Sequence, residues 1–195
     1  MIRSAAACAV LLLLSGCATL PPPVDAGSWT ERRAELQALR SWALDGRVAV
    51  ATADEGFSGG LSWHQDGTQA EINLRGLLGG TALSIRLDGD EMIVTDASGA
   101  SIAGLAAREY VASEIGAPLP VAELRYWLVG VPAPGTGHQE TIGGDGRLAG
   151  LEQAGWKLRY SRYTAVGSLA LPARIEVESE TARLRLVVSS WQLPP

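Results

Sequence analysis

Apolar and polar residues alternate with a period of two along most of the chain, which predicts β-strands with one buried face. The first such run extends from Trp42 to Val50, and the second extends from Phe57 to His64. Asp66-Gly67, which follows, is a strong signal for a tight β-hairpin. Strands of this kind joined by short turns form an antiparallel meander, and the whole chain contains about eleven of them.

Three segments break this alternation and have helical spacing instead. We predict a first helix from Trp29 to about Leu39, because Ser28 begins a capping box. An alanine-rich helix is predicted for Leu105–Ile115, and a third for Val121–Val129, whose apolar residues share one face. The predicted fold is therefore mainly β (α+β), with no long-period repeat.

The size of the predicted sheet determines what its apolar face can contact. About eight strands close a small barrel that its own side chains fill, whereas about eleven strands curve around a larger space. The helices are available to cover this space, and any part they leave unfilled is an apolar cavity. Our candidates for the cavity lining are Val48, Val50, Leu61, Trp63, Ile72, Leu74, Leu83, Ile85, Trp127 and Leu158.

The first 16 residues have the layout of a secretory signal peptide. Arg3 gives a positive start, and Ala5–Leu14 is an apolar run too short to span a bilayer as a helix. The segment ends in Leu-Ser-Gly-Cys, with the cysteine at Cys17, and this motif resembles the bacterial lipobox. In lipoproteins of that kind the chain is cut before the cysteine, which is then acylated. The alternative is an ordinary signal peptide in which Cys17 has no role.

The lipobox interpretation divides the chain into three parts. Residues 1–16 are the removed signal, residues 17–27 are the acylated Cys17 with a proline-rich tether, and residues 28–195 form a single domain. A cysteine with more than one acyl chain anchors stably to a membrane. Inner-membrane lipoproteins commonly have Asp after the cysteine, so Ala18 favours the outer membrane.

Composition narrows the chemistry. The formal net charge of −5 gives no basic excess, so we do not expect nucleic acid as a partner. The two cysteines are Cys8, in the signal, and Cys17, so the domain has no thiol for a disulfide or a metal site. Of the two histidines, His64 and His138, neither is accompanied by a ligand motif, and we expect no metal and no cofactor.

One motif points to an enzyme. Gly56-Phe57-Ser58-Gly59-Gly60 matches the G-x-S-x-G pattern of serine hydrolases, in which the serine lies on a sharp turn from a strand to a helix. Here an alternating strand follows, which favours a glycine-rich strand start instead. A membrane-anchored hydrolase with Ser58 as its nucleophile remains an alternative.

Two leucines, Leu77 and Leu78, lie between glycines at the tip of a predicted hairpin. Either the tip folds back and buries them, or they form an exposed apolar loop that reaches for lipid.

Together these residues resemble the LolB family of outer-membrane lipoprotein receptors, over nearly all of residues 17–195. The order and spacing of the shared positions are specific, although no single position is. They are Trp29, Gly46-Arg47, Trp63-x-Gln65, Leu78-Gly79, Leu119-Pro120, Leu124, Trp127, Gly130, Pro132, Pro134, Gly146-Arg147-Leu148, Gln153-x-Gly155-Trp156, Tyr160 and Leu171-Pro172.

The resemblance implies an unclosed antiparallel β-barrel with a helical lid over a hydrophobic cavity, and we expect all three predicted helices to form this lid. It implies a monomer that faces the periplasm, receives lipoproteins from the carrier LolA, and inserts them into outer-membrane lipid without covalent catalysis. Leu78 falls on the family's exposed insertion leucine, and Leu77 stands where proline is usual. Another lipid-binding lipoprotein of the same fold, without LolA as partner, is the alternative.

Overall fold

The computed structural model describes residues 29–54, 56–76, 81–115, 118 and 120–194. The predicted secondary structure is confirmed there, with three helices and eleven strands in the described part of the chain. The helices are α1 (Trp29–Ala38), α2 (Gly104–Ile115) and α3 (Val121–Val129). The strands are β1 (Ser41–Ala51), β2 (Gly56–Asp66), β3 (Gln69–Arg75), β4 (Thr81–Asp88), β5 (Glu91–Asp96), β6 (Ser101–Ala103), β7 (His138–Ile142), β8 (Leu148–Gln153), β9 (Trp156–Val166), β10 (Leu169–Glu178) and β11 (Arg183–Gln192).

All eleven strands belong to one antiparallel sheet. Their order is β6-β5-β4-β3-β2-β1-β11-β10-β9-β8-β7, so the first and last strands of the chain's meander, β1 and β11, pair at its centre. The sheet is not closed, because β6 and β7 form its two edges. This is the unclosed barrel that the family resemblance implies.

Short turns set the register of the sheet. Asp66 at the end of β2 pairs with Gln69 at the start of β3, and Gly67 between them has a φ of 58°. Because side chains alternate along a strand, this register places the apolar residues of both strands on one face. The same face continues through the following hairpins.

Some strands begin one or two residues away from the predicted positions. Strand β10 begins at Leu169, directly after the turn at Gly167 and two residues before the Leu171-Pro172 motif. The register of β9 and β10 shifts immediately after Pro172. Proline is tolerated at such an irregularity because it has no N–H to donate to the neighbouring strand.

Helix α1 packs against α3, outside the cavity. Gln37 Nε2 donates to the carbonyl oxygen of Pro132 at 2.9 Å, and Trp29 Nε1 donates to Glu140 Oε1 at 2.9 Å. Leu36 is the residue of α1 that is fully buried. Of the three helices expected to form the lid, α2 and α3 therefore cover the apolar cavity, whereas α1 supports α3 from outside.

Candidate functional site: an apolar cavity under two helices

A cavity of about 230 Å³ lies between the inner face of the sheet and the helices α2 and α3. All ten residues predicted for its lining are found there. They are Val48, Val50, Leu61, Trp63, Ile72, Leu74, Leu83, Ile85, Trp127 and Leu158.

Strand pairing explains why these residues meet. Residues paired across neighbouring strands point to the same face of a sheet. Leu61, Leu74 and Leu83 are paired in sequence across β2, β3 and β4. On the other side of β1, Leu158, Val177 and Leu184 are paired in the same way and lead to Val50. The alternation in the sequence therefore becomes continuous apolar rows across the cavity wall.

The helices supply the cover. Helix α3 contributes its apolar face, and α2 contributes one turn on its inner side. The lining residues of the two helices are Val121, Leu124, Trp127 and Leu128 from α3, and Tyr110, Val111 and Glu114 from α2. The apolar face of α3 was predicted from its spacing, whereas α2 was predicted as an alanine-rich helix of the cover without individual lining residues.

Trp127 is held in place by a buried hydrogen-bond network. It is 1% exposed, and its Nε1 donates to Gln153 Oε1 at 2.8 Å. The same oxygen accepts from the backbone N–H of Ala133 at 2.9 Å, and Gln153 Nε2 donates to the carbonyl oxygen of Ala133. Tyr160 completes the network, because its hydroxyl donates to the carbonyl oxygen of Trp127 at 2.9 Å. Buried polar groups need such partners, so this network fixes α3 and the loop that follows it.

Gln153 belongs to one of the LolB-like motifs, but the sequence analysis assigns it no role. Its burial could have been predicted from the alternation, because Gln153 occupies an inward-facing position of β8, two residues after the buried Leu151. Gln65 repeats the pattern on β2, where its Oε1 accepts from Trp63 Nε1 at 2.9 Å. A glutamine in the apolar phase of an alternating strand therefore indicates a buried partner for a tryptophan.

Burial also changes the ionisation of two tyrosines on β9. Burial strongly raises the pKa of Tyr160, and the neighbouring Tyr163 adds to this effect. Burial likewise raises the pKa of Tyr163, whose hydroxyl donates to the carbonyl oxygen of Leu148 at 2.7 Å. Both phenols therefore stay protonated at physiological pH and act as hydrogen-bond donors.

Ser58 does not have the geometry of a hydrolase nucleophile. It lies within β2, paired with Ala49, and is exposed. His64 is six residues away on the same strand, which is about 20 Å at roughly 3.3 Å per residue. The sharp strand-to-helix turn required by the G-x-S-x-G motif is not formed here.

The histidines show no shared ligand site. His64 is exposed on β2, and His138 Nδ1 lies 3.1 Å from the carbonyl oxygen of Thr136. Within residues 29–54, 56–76, 81–115, 118 and 120–194, no three His, Cys, Asp or Glu side chains are placed to hold a metal ion together. In the same ranges no helix has both the length and the apolar character needed to cross a membrane.

Three predicted site residues, Cys17, Leu77 and Leu78, lie outside the described residues. The neighbouring strands show where residues 77–80 attach, since β3 ends at Arg75 and β4 begins at Thr81. Arg75 and Thr81 are paired across these strands.

The chain matches one family model and many relatives. The model for outer membrane lipoprotein LolB matches residues 40–191. A protein of Nitrosococcus oceani named outer-membrane lipoprotein LolB is 35% identical over 188 residues, which cover 94% of each chain. Proteins of the same name from Alkalilimnicola ehrlichii and Pseudomonas aeruginosa PAO1 are 37% and 34% identical over 190 and 199 residues. These matches cover 94% of both chains in the first case, and 98% of this chain and 96% of the relative in the second.

Solved structures share the fold at low sequence identity. The crystal structure of a LolA superfamily protein from Nitrosomonas europaea has a TM-score of 0.52 and 13% identity, covering 87% of this chain and 95% of that one. A DUF1329 family protein from Desulfovibrio piger has a TM-score of 0.58 and 10% identity, covering 88% and 93%. The likeness to these structures is one of architecture.

Proposed function

We infer the function from family and cavity together: the chain belongs to the outer-membrane lipoprotein LolB family, and we propose that it inserts lipoproteins into the outer membrane. In this proposal it receives them from the periplasmic carrier LolA and shields their acyl chains on the way. The domain faces the periplasm as a monomer, tethered through acylated Cys17 and residues 17–27. No covalent catalysis is part of the proposal.

The apolar cavity is the observation that supports this function. Exposing an acyl chain to water costs about 0.8 kcal/mol per CH₂ group, so a lipoprotein cannot cross the periplasm unshielded. The cavity walls are apolar on the sheet side and on the α3 side. Transfer runs downhill when the cavity binds acyl chains more favourably than the carrier does and less favourably than the bilayer.

The cavity is small for the ligand that this function requires. Pockets for drug-sized ligands have volumes of about 300–1,000 Å³, and the cavity measures about 230 Å³. A lipoprotein with more than one acyl chain therefore requires a wider space than this conformation offers. We propose that the helical cover shifts when the acyl chains enter.

A two-step transfer assay tests the function. A labelled lipoprotein is first passed from LolA to the purified domain and then from the domain to liposomes. Leu74→Asp places a charge on the cavity wall and should block the first step. Asn73→Asp adds the same carboxylate on the neighbouring, half-exposed residue that does not line the cavity, and should transfer normally. Equal transfer by the wild type, Leu74→Asp and Asn73→Asp would contradict the proposal.

The second step tests the proposed membrane-insertion loop at Leu77 and Leu78. An apolar side chain gains about 1.5–3 kcal/mol when fully buried, and Leu78→Glu loses this gain at the lipid surface. We expect Leu78→Glu to accept lipoprotein from LolA yet fail to deliver it, with an unchanged melting temperature. Leu77→Glu should show a milder form of the defect. A stable Leu78→Glu protein that delivers normally would contradict the insertion role, and a collapsed melt would indicate a buried loop.

Cross-linking to LolA separates this proposal from its closest alternative. A lipid-binding lipoprotein of the same fold with another partner would bind acyl chains but form no cross-link to LolA during transfer.

A further inference from the structure

One charged side chain stands among the apolar residues that line the cavity. Of the described lining residues, Glu114 alone has an acidic or basic side chain. The N–H groups of Trp63 and Trp127 donate to glutamines, so the hydroxyl of Tyr110 is the remaining polar group of the lining. Glu114 is exposed to solvent and also lines the cavity, so its carboxylate lies at the opening.

Helix geometry groups the two polar side chains. Tyr110 and Glu114 are four residues apart on α2, and residues with this spacing lie side by side on a helix. Burial raises the pKa of Tyr110, and the carboxylates of Glu114 and Asp96 raise it further. The mouth of the cavity is therefore negatively charged on the α2 side.

Ligands with the same acyl chains differ in the charge next to those chains. A cysteine acylated on its amine and its thiol has lost both ionisable groups, so the head of a lipoprotein anchor is neutral. A fatty acid presents a carboxylate at this point, and a phospholipid presents a phosphate. When the chains lie in the cavity, these anionic heads come to the opening and are repelled by Glu114.

We propose that Glu114 makes the cavity selective for acyl chains with an uncharged head and against anionic amphiphiles. This inference rests on the proposed function, since it names the class of ligand that the same cavity binds. Two like charges about 7 Å apart at an exposed site repel enough to change affinity roughly threefold to tenfold. Anionic lipid surrounds the protein at a membrane, so a preference of this size keeps the cavity available for lipoprotein.

The test uses three probes with one alkyl chain: dodecanol, dodecyl sulfate and dodecyltrimethylammonium, each below its micelle concentration. Binding is followed by the change in intrinsic tryptophan fluorescence, since Trp63 and Trp127 line the cavity. The wild-type domain should bind dodecyl sulfate about threefold to tenfold more weakly than dodecanol. Glu114→Gln should remove this difference. Glu114→Lys should bind dodecyl sulfate more tightly than dodecyltrimethylammonium, which is the reverse of the wild-type order.

Glu109→Gln is the matched control. Glu109 is exposed on the same helix and does not line the cavity. Because both variants replace one glutamate by glutamine, they have the same net charge. It should keep the wild-type preference. High salt gives a further check, because the Debye length falls from about 10 Å at 0.1 M to about 3 Å at 1 M. The preference of the wild type should then weaken towards equality.

The outcomes separate the two proposals. If dodecanol does not bind the wild-type domain, the cavity is not a lipid site, and both the function and this inference fail. If dodecanol binds but dodecyl sulfate binds equally well to wild type and Glu114→Gln, only the selectivity is overturned. An equal effect of Glu109→Gln and Glu114→Gln would also overturn it, since net charge would then explain the preference.

A second pair of ligands extends the test to natural lipids. Diacylglycerol and phosphatidylglycerol with identical fluorescent tails differ by the charged phosphate. Glu114→Gln should increase the binding of phosphatidylglycerol relative to diacylglycerol by the same factor. An unchanged ratio would show that Glu114 does not influence the binding of these lipids and would overturn the selectivity.

Discussion

The two helices that cover the cavity are attached to the domain in different ways. Helix α3 ends in a buried cluster in which Trp127 and Val129 are each 1% exposed, and the chain remains buried through Val131. Among the side chains of α2 that the structure describes, Ala107 and Val111 are buried, and Leu105 in the first turn is 71% exposed. The same cavity therefore has one firmly packed cover and one lightly packed cover.

Hydrogen bonding reinforces the difference. Gln153 and Tyr160 bind the side chain and carbonyl of Trp127, and α3 ends at Gly130 with a φ of 86°, which glycine adopts without strain. Its N–H donates to the carbonyl oxygen of Trp127. Helix α2 packs on the edge strand β6 and on its neighbour β5. A smaller share of the described side chains is buried on α2 than on α3, and regions with little burial open at low free energy, so we expect α2 to move when a ligand enters.

The largest test of this comparison removes the anchor of α3. Trp127→Ala should lower the free energy of unfolding by about 3–5 kcal/mol, because it deletes a fully buried indole and leaves a cavity. Leu105→Ala on α2 should change it by no more than about 0.5 kcal/mol, as expected for an exposed site. Urea titrations of both variants measure the difference. Equal losses would show that the helices are packed equally.

The buried glutamine provides the next test. Gln153→Leu keeps the size of the side chain but leaves the Trp127 Nε1–H and the Ala133 N–H without an acceptor. Each unsatisfied buried group costs about 1–3 kcal/mol, so we expect the two together to cost at least about 2 kcal/mol. Gln139→Leu is the matched control, because Gln139 is exposed on β7 and should tolerate the same change. A loss below 1 kcal/mol for Gln153→Leu would show that the network does not hold α3.

The fixed parts of the molecule are also the parts that sequence predicts. A period of two determines which face of a strand each side chain occupies, so the wall residues from Val48 to Leu158 follow from the alternation and from antiparallel pairing. The apolar face of α3 is equally visible in its spacing. The LolB-like motifs then indicate how wall and helices combine.

The remaining features depend on tertiary packing. Periodicity does not show that α1 lies outside the cavity. It also does not show that α2 covers the opening, because an alanine-rich helix has no marked apolar face. Glu114 looks in the sequence like any solvated glutamate, and its meaning comes from the apolar residues around it. The partners of Gln153 come from distant positions, such as Trp127, 26 residues away.

Alkaline pH tests the Tyr160 contact to α3. The folded domain raises the pKa of this phenol, so it keeps its proton where an unfolded tyrosine, with a pKa near 10, loses it. The stabilisation is fully present below about pH 10 and is lost as pH rises above that value. Tyr160→Phe should cost about 0.5–1.5 kcal/mol at pH 7, from the lost hydrogen bond. The difference between wild type and variant should shrink from pH 9 to pH 11, and a constant difference would contradict this assignment.

The smallest effect concerns the lightly packed helix. Ala112→Gly lies within α2, where glycine costs about 0.5–1 kcal/mol relative to alanine. If ligands enter by the opening of α2, this cost favours the open state and should speed the binding of dodecanol about twofold to fivefold. Ala34→Gly is the matched control, because Ala34 is exposed in the middle of α1, which does not line the cavity. It should cost similar stability without a change in binding rate. Stopped-flow tryptophan fluorescence measures both rates, and an equal acceleration in the two variants would mean that general loosening, rather than α2, admits the ligand.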